Sequence, residues 1–242
     1  MMMAVFGRLP AASNARAASS RLQPVACLMR RLERSTSFLL TGARSTMDKA
    51  AILASCSYLN EKIPYERAEA MLLIEVDGDD DESVYRSYLA IGEVCEAQGA
   101  EYVYVADNRT TMDRIWNVRR NIAEALKVAS PRQSLEDIVV PIAAIPAFME
   151  RLEAIKKEYS VEIPCYGHAG DGNLHATVVK PAAWSEAEWH AGLSRILESI
   201  YVATHELGGR ISGEHGIGNK RKRYIGIDLD SATIALMKSN SF

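Results

Sequence analysis

Apolar and polar positions recur along this chain with two periods, and the elements can be read from them. Ala70 to Val76 is almost continuously apolar and stops at Asp77-Gly78, which predicts a strand. The acidic patch Asp79-Asp80-Asp81-Glu82 then opens a helix to about Gln98, where negative charge suits the N-terminal dipole. Val84, Tyr88, Ile91 and Cys95 recur on it at helical spacing, and Gly99 stops it. Asp48 to Leu59 reads as a helix capped by Asp48, and Tyr102 to Ala106 as a second strand. Thr111 to Val128 reads as a helix, Asp137 to Pro141 as a strand and Ile145 to Tyr159 as a helix. Ile163 to Tyr166 and Leu174 to Val179 flank a Gly-Asp-Gly turn, which predicts a hairpin. Ser185 to Leu207 is a long helix with a Ser185/Glu188 capping box and a Gly208-Gly209 stop. The order predicts an α+β fold: a largely antiparallel sheet with helices packed on one face, resembling a doubled ferredoxin-like unit.

Composition narrows the class. The 242 residues are 48% hydrophobic and 24% charged, ordinary for a globular chain, and no apolar run approaches a membrane span. Residues 1–46 differ from the rest, being rich in Ala, Ser and Arg. They hold seven Arg and one acid, Glu33, a net of +6; with −3 for the whole chain, the remainder carries −9. Nothing in that acidic body suggests a nucleic-acid surface. The first segment has the composition of a mitochondrial transit peptide, but globular patterning begins abruptly near Met47. The expected division is therefore 1–46 as a disordered or artefactual extension and 47–242 as the folded domain. The four cysteines (Cys27, Cys56, Cys95, Cys165) form no CxxC pair and read as free thiols. The expected location is the cytoplasm, peripheral to a membrane, with the mitochondrial matrix as the alternative.

The candidate chemistry sits in two glycine-rich stretches. Gly167-His168-Ala169-Gly170-Asp171-Gly172-Asn173-Leu174-His175 puts two histidines at the end of the predicted hairpin. Ile211-Ser212-Gly213-Glu214-His215-Gly216-Ile217-Gly218 adds a Glu and a His in a loop where backbone can approach a ligand closely. Two His and a Glu are a ligand set suited to a catalytic divalent ion. Each residue also has a plainer reading: a lone His serves packing or solvent, Asp171 and Asn173 serve the turn, and Glu214-His215 serve a loop network. Arg119 and Arg120, next to Trp116, are either a carboxylate clamp or surface charge. Lys220 to Arg223 reads as a solvated basic face, His190 and His205 as solvent-facing, and Trp184 and Trp189 as packing residues. No Walker motif, no strand-linked G-x-G-x-x-G and no G-x-S-x-G is present.

The two glycine-rich stretches together resemble the hallmark motifs of the FAD-linked oxidase C-terminal domain, of the glycolate oxidase and D-lactate dehydrogenase group in the vanillyl-alcohol oxidase superfamily. Leu72 to Gly78, Ile115 to Arg120 and Glu136 to Pro141 support the resemblance, which runs from about Met47 to Gly226. It implies the substrate and cap half of an FAD-dependent oxidoreductase acting on small 2-hydroxy acids. In the roles it implies, His168, His175 and Glu214 hold a divalent metal (Zn, or Mn or Fe), and His215 takes the hydroxyl proton. Arg119 pairs with the substrate carboxylate, while Asn173 and Gly172 lie at the flavin. Three departures accompany it: no large N-terminal FAD-binding domain, no Asn-Pro-Gly-Lys tail, and Ile142 where Arg is usual. The chain is thus expected to be truncated at both ends and to work with a separate FAD-binding subunit and an electron-transfer subunit. A standalone metal-dependent hydrolase and an inactive small-acid binding module are the alternatives.

Overall fold

A computed structural model describes residues 2–7, 44–63 and 68–239. Its strands are β1 (Met2–Gly7), β2 (Arg44–Asp48), β3 (Ala70–Glu75), β4 (Tyr102–Ala106), β5 (Gln133–Val139), β6 (Cys165–His168) and β7 (Asn173–Val179). The longer helices are α1 (Lys49–Leu59), α2 (Asp81–Ala97), α3 (Arg109–Arg120), α4 (Ile122–Ala129), α5 (Ile145–Tyr159) and α6 (Glu186–Glu206). Short helices α7 (Gly218–Arg221) and α8 (Ile225–Asp228) precede a terminal α9 (Ser231–Ser239). All strands join one sheet in the order β4-β1-β3-β2-β6-β7-β5, and every pairing is antiparallel. The α+β class and the antiparallel sheet are as the periodicity predicts.

The helices cover both faces of the sheet, not one. Strand β3 explains why, because Met71, Leu72, Leu73 and Ile74 are all buried. Leu72 and Ile74 join one core with Ile91 and Cys95 of α2, Phe148 and Leu152 of α5, and Ile196 and Ile200 of α6. Met71 and Leu73 point the other way, to a second core with Ile52 and Cys56 of α1, Val118 of α3 and Ile122 of α4. A strand apolar on both sides needs a layer on each.

Local chemistry fixes the ends of the elements. Asp48 Oδ1 accepts from Ala51 N (2.9 Å) and caps α1; Oδ2 accepts from Cys165 N (2.8 Å), tying that cap to β6. Ser185 and Glu188 form the expected capping box of α6. The single helix predicted over 111–128 is two helices, broken at Asn121. There the side-chain amide donates to Asn117 O and Oδ1 (2.8 Å each), in competition with the helical backbone ladder. Strand β5 starts at Gln133, four residues before its predicted start. Its polar Ser134 and Glu136 are buried but satisfied by partners the sequence does not show.

The expectation that residues 1–46 contribute nothing to the fold fails where they are described. Met2–Gly7 lies between β3 and β4 and pairs with both, Ala4 is fully buried, and Arg44 to Thr46 begin β2. Backbone pairing does not depend on the Arg-rich composition that suggested otherwise. Residues 8–43 lie outside the described residues. Strand β2 meets β6 at only two positions, Thr46↔Gly167 and Met47↔Tyr166, and the candidate site lies along this seam.

Candidate functional site

The site is assembled on one face of β2, β6, β7 and β5. Successive strand residues face opposite ways, so Asn173, His175 and Thr177 share the side of β7 away from the α5–α6 core. Register sets the rows: His168 pairs with Asn173, and His175 lies between Tyr166 and Asp137. The hairpin turn depends on Gly172, which has φ +80°, a conformation costly for other residues. A Cβ at Gly172 would also fall 1.9 Å from Val140 O. Its N–H donates to His168 O (3.1 Å) and its carbonyl accepts from Val140 N (3.0 Å). Both backbone groups are therefore engaged within the chain. Asp171 Oδ1 accepts from Asn173 N (3.0 Å), the turn role anticipated for it, and belongs to no ligand cluster among the described residues.

His168, His175 and Glu214 come together, each offering a ligand atom within 4.8 Å of the others. His175 Nε2 lies 3.3 Å from Glu214 Oε1, and His215 Nε2 lies 3.2 Å from the same oxygen. The His215 ring stacks on His175 with centroids 5.3 Å apart, while His168 stands edge-on to His175 at 6.1 Å. His175 is buried, whereas His168, Glu214 and His215 open to solvent. Burial lowers the His175 imidazole to about 4, against the opposing pull of Asp137 and Glu214. A neutral imidazole keeps a lone pair for a metal. Asn173 Oδ1, His175 Nδ1 and Thr177 Oγ1 are buried without a hydrogen-bond partner among the described residues. Three orphaned polar atoms along one strand face, beside a His/His/Glu donor set, fit a bound divalent ion and a polar ligand.

Arg119 reaches the same face from the C-terminal turn of α3. Its Nε donates to Ser45 Oγ, which donates to Gly167 O (2.7 Å), and its Cζ sits 5.0 Å over the Tyr166 ring. Burial lowers the Arg119 pKa, with Tyr166 and Glu214 opposing. Arg120 is exposed and lies over Trp116 at 5.5 Å, so only one of the two arginines faces the site. His190 and His205 are exposed and outside the cluster, as expected.

The sequence reading missed two buried carboxylates: Asp137, which holds the Glu214 loop, and Glu136, on the opposite face of the same strand. Asp137 is fully buried. Its Oδ2 accepts from the N–H groups of Gly213 (3.0 Å), Glu214 (2.9 Å) and His215 (2.8 Å), and its Oδ1 accepts from Asn173 Nδ2 (2.6 Å). Burial by itself would raise this carboxyl, but the bonds from His215, Asn173 and Glu214 outweigh it and hold the pKa below the usual range. Glu136, on the opposite face and also fully buried, meets Ser134 Oγ (2.7 Å), Tyr201 OH, Lys220 Nζ (2.6 Å) and Arg221 Nε (3.5 Å). The basic run is thus not a solvated face throughout: Arg221 is buried, and its guanidinium also donates to Gly216 O (2.8 Å). Of the glycines of the second stretch, Gly213 is the one packed against protein, while Gly216 and Gly218 face open space. A Cβ at Gly213 would lie 1.8 Å from Asn173 Nδ2 and 2.8 Å from Asp137 Oδ1. Two adjacent acids at the mouth of an apolar run (Ile138-Val139-Val140) were the available signal.

Residues 24–240 match the family model described as FAD linked oxidases, C-terminal domain. A D-2-hydroxyglutarate dehydrogenase of Xanthomonas citri pv. viticola is 32% identical over 161 residues, covering 65% of this chain and 34% of the relative. Glycolate oxidase subunit GlcD of Bacillus subtilis is 31% identical over 193 residues, covering 80% and 40%. A D-lactate dehydrogenase of Anaerostipes hadrus is 28% identical over 197 residues, covering 79% and 41%. The chain thus spans between about a third and two-fifths of these relatives' length. Among solved structures, p-cresol methylhydroxylase with substrate bound shares the fold at a TM-score of 0.55 and 8% identity, covering 87% of this chain and 44% of that one.

Proposed function

The chain belongs to the family of FAD linked oxidases, C-terminal domain, and from that premise we propose that it is the substrate- and metal-binding part of an oxidoreductase for small 2-hydroxy acids of the glycolate and D-lactate type. One observation carries the reading: His168, His175 and Glu214, distant in sequence, offer ligand atoms within 4.8 Å of one another. A divalent ion held there, most fittingly Zn and otherwise Mn or Fe, would supply a Lewis acid for the substrate's hydroxyl and carboxylate oxygens. FAD, held in part beside Asn173, would supply the hydride acceptor for this oxidation.

The chain's own residues do the rest. Arg119, anchored through Nε to Ser45, turns the rest of its guanidinium to the substrate carboxylate. His215 stands beside Glu214 and accepts the hydroxyl proton on a ring nitrogen as the Cα–O bond becomes a carbonyl. The product is a 2-oxo acid. Asn173 Oδ1, buried and unpartnered, is the acceptor turned toward flavin or substrate. A flavin-binding part, on the same chain or on a separate FAD-binding subunit, and an electron-transfer subunit would complete the enzyme. Among the described residues no helix is long and apolar enough to cross a membrane.

Metal analysis of the purified chain tests the reading. The wild type is expected to carry about one divalent ion after reloading from chelator, and His168→Ala and Glu214→Gln to carry none. A wild-type chain that binds no divalent ion, or variants that bind it as well as wild type does, would overturn it.

A further inference from the structure

We propose that Asp137 is the positioning residue of this site, a single carboxylate that holds Glu214, His215 and Asn173 in one arrangement; the idea rests on the metal reading above. Asp137, His175 and His215 also lie close enough to suggest a second ion site. The hydrogen bonds argue against it. Asp137 Oδ2 already accepts three consecutive backbone N–H groups and Oδ1 accepts the Asn173 amide, so an ion could bind Asp137 only by displacing them. Asp137 therefore acts through its neighbours.

Its bonds specify those neighbours closely. Three successive N–H groups converging on one oxygen fix the backbone of the residue that carries the Glu214 carboxylate. The bond to Nδ2 sets the Asn173 amide, leaving Oδ1 as the free acceptor. Asp137 Oδ1 also stands 4.0 Å from His175 Nδ1, on the other side of the ring from the Nε2 that faces Glu214. No hydrogen bond joins them at that distance, but the negative charge favours the proton on Nδ1 and leaves the Nε2 lone pair for the ion. Gly213 completes the arrangement, because any larger residue would push into both Asn173 and Asp137.

The test compares Asp137→Asn with Glu136→Gln, which removes the charge on the opposite face of the same strand. Three readouts are taken on the full chain: amide hydrogen exchange at residues 213–215, the His175 tautomer by nitrogen NMR, and Zn²⁺ affinity by calorimetry. In Asp137→Asn the three amides should exchange about tenfold faster or more, since bonds to a charged acceptor are among the stronger ones. The His175 Nδ1–H form should lose its dominance, and Zn²⁺ affinity should fall by about 10–100-fold. Glu136→Gln should lower the melting temperature yet leave all three near wild type. If Asp137→Asn does not fold, Gly213→Ala tests the same clamp from the loop side and should speed exchange and weaken Zn²⁺ alike. Unchanged exchange at 213–215, or equal effects in the Asp137 and Glu136 variants, would overturn the proposal. A wild type that binds no Zn²⁺ would sink the metal reading, while exchange and tautomer would still decide the role of Asp137.

Discussion

His215 and Glu214 are neighbours in the chain, yet they stand differently in the cluster. Glu214 joins His168 and His175 in the donor set, while His215 stacks on His175 and meets Glu214 from outside that set. The His215 backbone N–H bonds to Asp137 whatever its side chain, so truncating the imidazole leaves the loop in place. In enzyme reconstituted with its FAD-binding part, His215→Ala is expected to keep its metal and to lose about 10²–10⁴-fold in kcat, the usual size of a general-base contribution. Metal analysis beside steady-state kinetics checks it; metal loss equal to that of His168→Ala would make His215 a ligand. The buried thiols give a second expectation. Burial raises Cys56 to about 11 and Cys95 to about 12, above an ordinary value of 9. The unfolded chain then releases these protons first, so stability is intact below about pH 9 and falls as pH rises toward the folded values. The loss approaches about 1.4 kcal/mol per thiol per pH unit. Urea midpoints from pH 8 to 11 should fall accordingly, and Cys56, Cys95 and Cys165 should resist alkylation at pH 8 until the chain unfolds. A flat urea profile would contradict this.

At the scale of elements, the β6–β7 hairpin carries the site, and its turn tolerates little. Gly172 and Gly216 both have positive φ, +80° and +76°. Only Gly172 is crowded, with Val140 O at 1.9 Å from a built Cβ; nothing lies within 4 Å at Gly216. Gly216→Ala should therefore cost only backbone strain, about 1–3 kcal/mol. Gly172→Ala should cost that plus the displacement of β5 from the turn, and thermal melts should separate the two. Equal losses would mean that the turn shifts freely away from Val140. This hairpin was legible in the sequence because a Gly-Asp-Gly turn between apolar runs is local chemistry. The division between α3 and α4 was not, since Asn121 inside an otherwise helical pattern gives no length to the break.

Across the whole molecule, β1 sits between β3 and β4 and supplies hydrogen bonds to both. Deleting residues 1–7 would open two strand edges at once and expose the core around Ala4. The melting temperature is expected to fall clearly, and a deletion that melts like the intact chain would show that β4 does not need this partner. The two cores lie on opposite faces of the sheet, and the site lies where the β4-β1-β3-β2 half meets β6 through two paired residues. Arg119 and Ser45 come from one half, and His168, His175 and Asp137 from the other. The site is thus complete only when both halves are joined.

The sequence by itself determined what short-range chemistry can encode. The 2.0 and 3.6 periods gave strands and helices, caps and glycines gave their ends, and the two glycine-rich stretches named His168, His175, Glu214 and His215. The tertiary structure alone decided which polar residues are buried and what satisfies them. Asp137 and Glu136 look like a charged strand entrance in sequence, because all their partners but Ser134 lie more than 35 residues away. Folding brings Asn173, the 213–215 backbone, Tyr201, Lys220 and Arg221 around them. A second helical layer was hidden for a related reason: a continuous apolar run says that both faces are buried, but not by what. The place of β1 was hidden too, since backbone pairing is nearly blind to side-chain composition.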